Sequence, residues 1–184
     1  MILSDVTIEE YLDLGKIKIF PEIDKTDIRP TGIRLHLGEE ILIPIKNQLV
    51  DLTAPSDIRY KHRFISTKGY ILKPGMFLLS STYEKILTYP DIVCYLEGRS
   101  TIARLGLSLH CTSSIIDSIH DEPRAIVLEL KNNGFFKLLL KPKIPIGMIV
   151  FSELTHPIRQ PCHAQYRNQN SVVPPNLQFT ETKK

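Results

Sequence analysis

The stretch Arg124-Ala-Ile-Val-Leu-Glu-Leu130 is the clearest indication of the fold of this chain. It is rich in apolar and β-branched residues, and the side chains of a strand alternate between its two faces. Ala125, Val127 and Glu129 therefore share one face, whereas the other face is entirely aliphatic. Glu129 is either buried for a purpose, because an unpaired buried carboxylate is costly, or turned towards solvent, as antiparallel sheets allow.

Similar short runs extend to both sides of this strand, separated by Pro, Gly, Asn and Asp. Many short strands without alternating helices indicate an antiparallel barrel or sandwich of jelly-roll type. One amphipathic helix is expected over residues 4–14, with Thr7 and Glu10 at capping-box spacing and Gly15 as its stop. The expected strands are residues 16–20, 32–37, 41–45, 64–66, 75–81, 92–96, 107–112, 125–131, 136–140 and 148–153.

The composition favours a single cytosolic globular domain. The 184 residues are 42% hydrophobic and 23% charged, which suffices for one core and hardly for two. No apolar run approaches the length of a membrane span, and the N-terminus does not resemble a signal peptide. A net charge of +3 without a long basic run argues against a protein that coats nucleic acid.

The cysteines do not indicate a disulfide framework. Cys94, Cys111 and Cys162 are odd in number and form no CxxC pair, which fits a reducing cytosol. Because Cys94 and Cys111 lie in apolar, strand-like runs, both are expected to be small core residues.

The character of the chain changes near residue 155. Residues 1–155 are expected to form the β domain, and residues 156–184 are polar, contain several prolines and cannot build a core of their own. Two interpretations of this tail remain open at this point. It is either a disordered terminus or a flexible flap that closes over a ligand.

The most distinctive motif is Gly98-Arg-Ser-Thr-Ile-Ala-Arg-Leu-Gly-Leu107. A short helical turn over residues 100–105, capped by Ser100, would direct Arg99 and several amide groups to one side, an arrangement that attracts anions. Arg104 follows Ser100 by one helical turn and shares its face. From spacing alone, an ordinary turn with surface arginines remains the simpler explanation.

A zinc site is suggested by fragments of the chain and is rejected. His120-Asp-Glu122 and Pro161-Cys162 are similar to parts of the zinc deaminase motif. That motif needs a second cysteine three residues further on, where this chain has Gln165. A tetrahedral ligand set is therefore not expected, and we predict no zinc.

Almost the whole chain resembles the trimeric dCTP deaminase/dUTPase family. Residues 98–110 are similar to the signature G-R-S-[ST]-x-A-R-x-G-L, and residues 127–134 to the strand V-L-E-[FL]-x-N-x-G. The other segments that follow the family's order are residues 1–16, 32–38, 73–90 and 166–169.

The resemblance implies a mainly β fold, a distorted jelly-roll or dUTPase-like β-barrel with an N-terminal helix and a short helical turn near residues 100–105. It also implies a cytoplasmic homotrimer with sites between subunits. The expected activity is hydrolysis of a cyclic amidine, in which dCTP and water give dUTP and ammonia for dUMP and dTTP synthesis. No metal acts on the base, and Mg²⁺ is expected only as a companion of the substrate triphosphate. Neither nucleic acid nor membrane is an expected partner.

The resemblance also implies roles for individual residues. Glu129 is the expected general base, and Arg104 and Ser100 are expected to hold the attacking water and to stabilise the intermediate. Arg99 and Ser100 are also expected to reach the phosphates. The remaining substrate contacts come from the segment beside the base and sugar and from the closing tail: Thr112, Ser113, Asp117, Tyr166 and Gln169.

Several departures from the family pattern keep alternatives open. Ile115 replaces a usual arginine, residues 118–124 replace a glycine-bearing turn with a slightly longer one, and Gln165 replaces a usual lysine. Arg124 is a candidate for supplying the missing charge. The first alternative is a dUTP diphosphatase or a bifunctional enzyme, in which Asp117 activates water against a phosphate. The second is a nucleotide-binding regulatory homologue with impaired catalysis.

Overall fold

The computed structural model describes residues 1–52, 58–159, 166 and 169–177. Strands dominate this part of the chain, which also contains two short α-helices and a 3₁₀ turn. The helices are α1 (Asp5–Asp13) and α2 (Ser100–Ala103), and the 3₁₀ turn is Lys25–Asp27. The strands are β1 (Ile17–Phe20), β2 (Ile28–Arg29), β3 (Gly32–His36), β4 (Glu40–Pro44), β5 (Tyr60–Phe64), β6 (Tyr70–Leu72), β7 (Phe77–Thr88), β8 (Ile92–Gly98), β9 (Leu107–Ser108), β10 (Ile115–Ile116), β11 (Arg124–Asn132), β12 (Leu138–Leu140) and β13 (Pro145–Glu153).

The predicted N-terminal helix is confirmed, but its predicted cap is wrong. Ser4 is the N-cap, in extended conformation, and its Oγ accepts a hydrogen bond from the Thr7 backbone N–H at 3.4 Å. Thr7 thus lies inside the first turn and cannot cap it. The helix ends before Gly15, whose φ of +68° is a conformation that glycine adopts without strain.

The described strands form three antiparallel sheets. One sheet has the order β5-β4-β7-β11-β9, with β1 also paired to β7. A second has the order β10-β8-β13-β3-β2, and a third pairs β12 with β6. The arrangement confirms the prediction of a mainly β fold without alternating helices.

The two large sheets bury one face each in a shared core. Ile33 and Leu35 from β3 and Phe151 from β13 meet Leu78 and Leu128 of the other sheet, and each of the five is 0% exposed. Burial of such a side chain contributes about 1.5–3 kcal/mol. This core holds the sheets in a fixed relation and leaves the opposite face of the β7–β11 sheet for other contacts.

Cys94 belongs to this core and Cys111 does not. Burial of Cys94 raises the pKa of its thiol to about 12, and the expectation for this residue is confirmed. Cys111 is exposed, so the expectation for it is wrong. The reason is that β9 ends at Ser108, well before the predicted end of the strand, and the chain leaves the sheet there.

The second face of the β4–β7–β11 sheet carries Glu129. Along β11, Leu128 and Leu130 are buried in the core, whereas Val127 and Glu129 are half-buried on the opposite face, as alternation predicts. Glu129 pairs with Leu79, and a register shift between Ala125 and Val127 interrupts the pattern at the beginning of the strand.

Part of the tail covers this second face. The Ala125 N–H donates to the Gln169 carbonyl at 3.0 Å, and Gln169 Nε2 donates to the Ala125 carbonyl at 2.6 Å. Val172 is 8% exposed and packs with Leu42 and Leu79. The predicted domain division near residue 155 and the flexible, closing role of residues 156–184 stay predictions.

Three short strands were not predicted, and one lies earlier than predicted. β2, β6 and β10 contain two or three residues each, too few to show a period. β5 occupies Tyr60–Phe64, whereas its apolar residues predicted a strand at 64–66. The strand lies at the edge of the sheet and most of its residues are exposed, so it lacks the apolar pattern that the prediction used.

Candidate active site

The predicted helical turn of the Gly98–Leu107 motif is present as α2. Arg99 is its N-cap and makes no side-chain capping bond, so the predicted cap by Ser100 is wrong, and Ser100 is instead the first helical residue. Arg104 is the C-cap, and its N–H donates to the Ser100 carbonyl at 3.0 Å.

Gly106 fixes this motif to the loop that follows the Glu129 strand. Its φ is +89°, and a Cβ at this position would lie 2.3 Å from the Gly134 backbone nitrogen. The Asn133 N–H also donates to the Gly106 carbonyl at 2.8 Å. Any larger residue at position 106 would separate these two segments.

A cavity of about 500 Å³ lies on the second face of the sheet, and we call it the Glu129 cavity. Its volume is in the range of small-molecule sites. Val127 and Glu129 of β11 line it together with Tyr60 of β5. Five of the predicted site residues line this cavity: Ser113, Asp117, Glu129, Tyr166 and Gln169.

The carboxylate of Glu129 is held by the backbone. Its Oε2 accepts a hydrogen bond from the Cys111 N–H at 2.8 Å, while the Glu129 N–H donates to the Leu109 carbonyl at 2.7 Å. The segment from Leu109 to Cys111 therefore runs alongside β11. Both alternatives considered for Glu129 are partly correct, because it is half-buried and faces a cavity that opens to solvent.

The Glu129 carboxylate contributes to a raised pKa of the Cys111 thiol. Burial raises the pKa of the thiol, and the charge of Glu129 and a hydrogen bond to it raise the pKa further, against a smaller opposing effect of Lys131. Burial and the nearby Glu129 carboxylate therefore both disfavour the thiolate of Cys111.

An arginine lies in the same cavity as Ile115. Arg124 and Ile115 both line it, and Arg124 is 8% exposed. Its Nη2 lies 2.5 Å from Asp121. Burial raises the pKa of Asp121, but the Glu122 N–H and the Arg124 charge outweigh this effect and hold the pKa below its usual value of 3.8. Arg124 Nε is buried without a hydrogen-bond partner among the described residues.

A second cavity, of about 240 Å³, contains the beginning of the Gly98–Leu107 motif, and we call it the Arg99 cavity. Arg99 and Ser100 line it, and Arg99 Nη1 donates to the Pro145 carbonyl at 2.9 Å. Arg29 and Arg34 line it as well.

A single chain does not bring the predicted catalytic residues together. Glu129 lines one cavity and Ser100 the other, and Arg104 is exposed and lines neither. Thr112 is also exposed and lies outside both linings, although its neighbour Ser113 is inside the first.

Sequence reasoning missed Tyr60, Arg29 and Arg34. Burial raises the pKa of Tyr60, and the neighbouring Tyr166 adds to the shift. Arg29 and Arg34 reach their cavity through the β2–β3 hairpin, in which Arg29 pairs with Gly32. The turn residues Pro30-Thr-Gly32 were the available signal for that hairpin.

Two features are absent from the described residues. None of their helices has the length and apolar character needed to cross a membrane. They also contain no group of three or more His, Cys, Asp or Glu side chains arranged to hold a metal ion. Cys162 and Gln165, which entered the rejection of zinc, lie outside the described residues.

Comparison with known proteins places the chain in a family. A family model described as "dCTP deaminase-like" matches residues 2–154. The chain belongs to this family. It is 35% identical to a dCTP deaminase of Psychromonas ingrahamii, over 94% of this chain and 96% of that protein. It is 37% identical to a protein of Methanothermobacter thermautotrophicus named "dCTP deaminase, dUMP-forming", over 87% of this chain and 83% of that protein.

The predicted fold is confirmed by a solved structure. The 2'-deoxycytidine 5'-triphosphate deaminase from Agrobacterium tumefaciens matches with a TM-score of 0.62 at 18% identity. The match covers 82% of this chain and 47% of that one, so this chain spans about half the length of the solved chain. At this identity the match concerns the fold, which is the one expected for the dCTP deaminase/dUTPase family.

Proposed function

We propose that this chain catalyses the hydrolytic deamination of dCTP to dUTP and ammonia. The observation that carries the proposal is the Glu129 carboxylate, half-buried in an apolar cavity and held by the Cys111 N–H at 2.8 Å. Membership of the family and relatives named dCTP deaminase at 35% identity support the same reaction.

Glu129 supplies the proton transfers of this reaction. Its carboxylate takes a proton from water, and the resulting hydroxide attacks C4 of the cytosine ring. The protonated Glu129 delivers this proton to ring N3, then takes the remaining proton from the C4 hydroxyl and passes it to the amino group, so that ammonia leaves and a carbonyl remains at C4. General acid–base catalysis of this kind contributes about 10²–10⁴ in rate.

The other half of the site comes from a neighbouring subunit. In the proposed homotrimer, Ser100 and Arg104 of one protomer meet the Glu129 cavity of the next, where they hold the water and stabilise the charge of the intermediate. The separation of Glu129 and Ser100 into two cavities of one chain supports this arrangement.

The phosphates and the tail complete the proposed site. When bound with the triphosphate, Mg²⁺ would offset part of its negative charge, and Arg99 and Ser100 contribute positive charge and a hydroxyl donor from the protein. Tyr166 and Gln169 line the Glu129 cavity, and we assign them to a tail that closes over the substrate and excludes water.

Glu129→Gln tests the proposal, because it preserves the shape of the side chain and removes the base. We expect ammonia release from dCTP to fall by about 10²–10⁴, whereas dCTP binding changes little. Both are measured directly, by an ammonia assay and by calorimetry. Glu9→Gln, an exposed carboxylate on α1, is the matched control and should retain parental activity. Parental ammonia release by the Glu129→Gln variant would refute the assignment.

One observation favours a second candidate, the combined conversion of dCTP to dUMP. Asp117 lines the same cavity as Glu129, and a relative at 37% identity is named as dUMP-forming. In this reaction Asp117 also activates water against a phosphate. Incubation with dCTP and with dUTP, each with Mg²⁺, separates the candidates. Release of both ammonia and pyrophosphate from dCTP identifies the combined reaction, ammonia release alone identifies the deaminase, and pyrophosphate release from dUTP without ammonia from dCTP identifies a dUTP diphosphatase. Release of neither product indicates a regulatory nucleotide-binding homologue.

A further inference from the structure

The Arg99 cavity contains two arginines that the family motif does not explain. Arg29 ends β2 and Arg34 lies in β3, so the β2–β3 hairpin brings both to the motif that begins at Gly98. Register explains how, because β13 pairs with both β3 and β8: Met148 is opposite Arg34 on one side and Glu97 on the other.

The lining of this cavity is strongly basic. Among the described residues it contains Arg29, Arg34 and Arg99, with the hydroxyls of Ser100 and Thr101, and no carboxylate. Asp27, outside the lining, pairs with Arg34 Nη1 at 3.1 Å and so neutralises part of the charge. Arg29 is exposed and has no ion-pair partner among the described residues. The cavity therefore keeps an excess of positive charge.

The size and shape of the cavity suit phosphate groups. Its volume of about 240 Å³ is less than half of the 500 Å³ of the Glu129 cavity and is small for a nucleoside. Gly98 leaves the backbone open, because a Cβ there would meet no atom within 4 Å. Guanidinium groups bind phosphate oxygens in bidentate geometry, and three of them around one small cavity match a polyphosphate better than a single monoanion.

We propose that Arg29 and Arg34 extend the phosphate site of Arg99 and Ser100 and bind the outer phosphates of the substrate. This inference rests on the proposed function, because it assigns the Arg99 cavity to the triphosphate end of a nucleotide. It makes the enzyme selective for triphosphates, since a monophosphate does not reach these two side chains.

Binding of tripolyphosphate with Mg²⁺ tests the inference without the nucleoside. Calorimetry is performed on the parental protein, on Arg29→Gln and on Arg63→Gln, a matched exposed arginine of β5 that lies in neither lining. We expect Arg29→Gln to weaken binding about tenfold, the effect of one lost charge-assisted contact. Arg63→Gln should bind like the parent. The affinity of the parent should fall more steeply with salt than that of Arg29→Gln.

Kinetics with two nucleotides give an independent measurement. Arg29→Gln and Arg34→Gln should each raise the KM for dCTP about tenfold and leave kcat nearly unchanged, because they affect binding of remote phosphates. Any slow turnover of dCMP should be the same in the parent and in both variants. Because Arg34 also pairs with Asp27, Arg29→Gln is the decisive variant if Arg34→Gln does not fold.

The outcomes separate the inference from the proposed function. If the parent deaminates dCTP and Arg29→Gln matches it in KM and in tripolyphosphate binding, the inference is wrong and the function stands. If the parent releases no ammonia but binds tripolyphosphate about tenfold better than Arg29→Gln, the function is wrong and the polyphosphate site stands. Failure of the parent to bind tripolyphosphate overturns the inference in either case.

Discussion

The Glu129 cavity and the Arg99 cavity differ in almost every physical property. The first is the larger, has many apolar side chains in its lining and contains a carboxylate fixed by a backbone N–H. The second is the smaller and combines three arginines with two hydroxyls. No described residue lines both. A nucleotide has the same two parts, a planar base with little charge and a densely anionic triphosphate, so each cavity complements one end of it.

This difference supports the proposal that the functional unit extends beyond one chain. A carboxylate that activates water needs donors for the developing charge, and the candidates for that task line the other cavity or lie beyond both. In a cyclic homotrimer each surface meets a different surface of the next subunit, so one protomer's Arg99 cavity can lie beside another's Glu129 cavity. Three equivalent sites then form from three identical chains.

Mixing two inactive variants should restore ammonia release if the two cavities of neighbouring subunits form one site. Glu129→Gln damages one cavity and Ser100→Ala the other, and each variant alone should lose most ammonia release. After joint unfolding and refolding of an equal mixture, activity should return to about a quarter of the parental value, because about one neighbour pair in four has both intact halves.

The control for this experiment is a double variant that carries both substitutions on one chain. Mixed with parental protein under the same conditions, it distinguishes new intact sites from simple dilution. If the two single variants remain inactive after mixing although they form mixed oligomers, the two cavities do not cooperate across subunits. A monomeric mass in solution at working concentration would count equally against shared sites.

The second face of β11 shows how far sequence reasoning reaches. Alternation alone placed Val127 and Glu129 together and opposite Leu128, because a strand offers only two directions. The helix before Gly15 and the turn after Gly98 were also predictable, since apolar spacing and glycines act within a few positions, although both predicted N-caps were wrong. These are properties of short stretches of chain.

Residues that meet through distant pairings were not predictable from local patterns. Arg29 lines the same cavity as Arg99 because β2 pairs with β3, and β3 and β8 both pair with β13. No local pattern contains that register. Val172 lies in the tail, for which disorder and closure over a ligand were both open, and no pattern predicted that it packs on Leu42 and Leu79. Ile115–Ile116 is a strand of two residues that exists because β8 offers an edge to it. Tertiary partners decide such cases, and local periodicity cannot report them.

The second prediction concerns Arg124, the arginine that lines the Glu129 cavity. Arg124 is neutralised by Asp121, whereas the arginines of the other cavity keep a net positive charge. Asp121→Asn should destabilise the fold by about 1–2 kcal/mol at neutral pH, the lower part of the range for a charged partner, because solvent screens the exposed part of the carboxylate. Asp13→Asn, at the end of α1, is the control and should change stability by less than about 0.5 kcal/mol.

The pH dependence of this loss follows from the pKa of Asp121. Its folded-state pKa lies below 3.8, so the stabilisation is fully present above that value and is lost as the pH falls through the folded pKa. Denaturant unfolding of the parent and of Asp121→Asn should therefore differ at pH 7, begin to converge as the pH falls below 3.8, and coincide only below the folded pKa. A constant difference across this range would show that the charge of Asp121 does not contribute.

A smaller effect is expected at Cys111, whose backbone N–H contacts the Glu129 carboxylate. The thiolate is the reactive form, and Glu129 helps to raise the pKa of this thiol above its usual 9.0. Glu129→Gln should therefore lower that pKa and increase alkylation of Cys111 by iodoacetamide at pH 8 severalfold, a gain limited by the weaker nucleophilicity of a less basic thiolate. Mass spectrometry of the Cys111 peptide measures the rate, and Cys94, with its pKa near 12, should stay unmodified. Because Glu9→Gln removes an equal charge elsewhere, its rate should match the parent. Equal rates in all three proteins would mean that the charge of Glu129 does not contribute to the pKa of the Cys111 thiol.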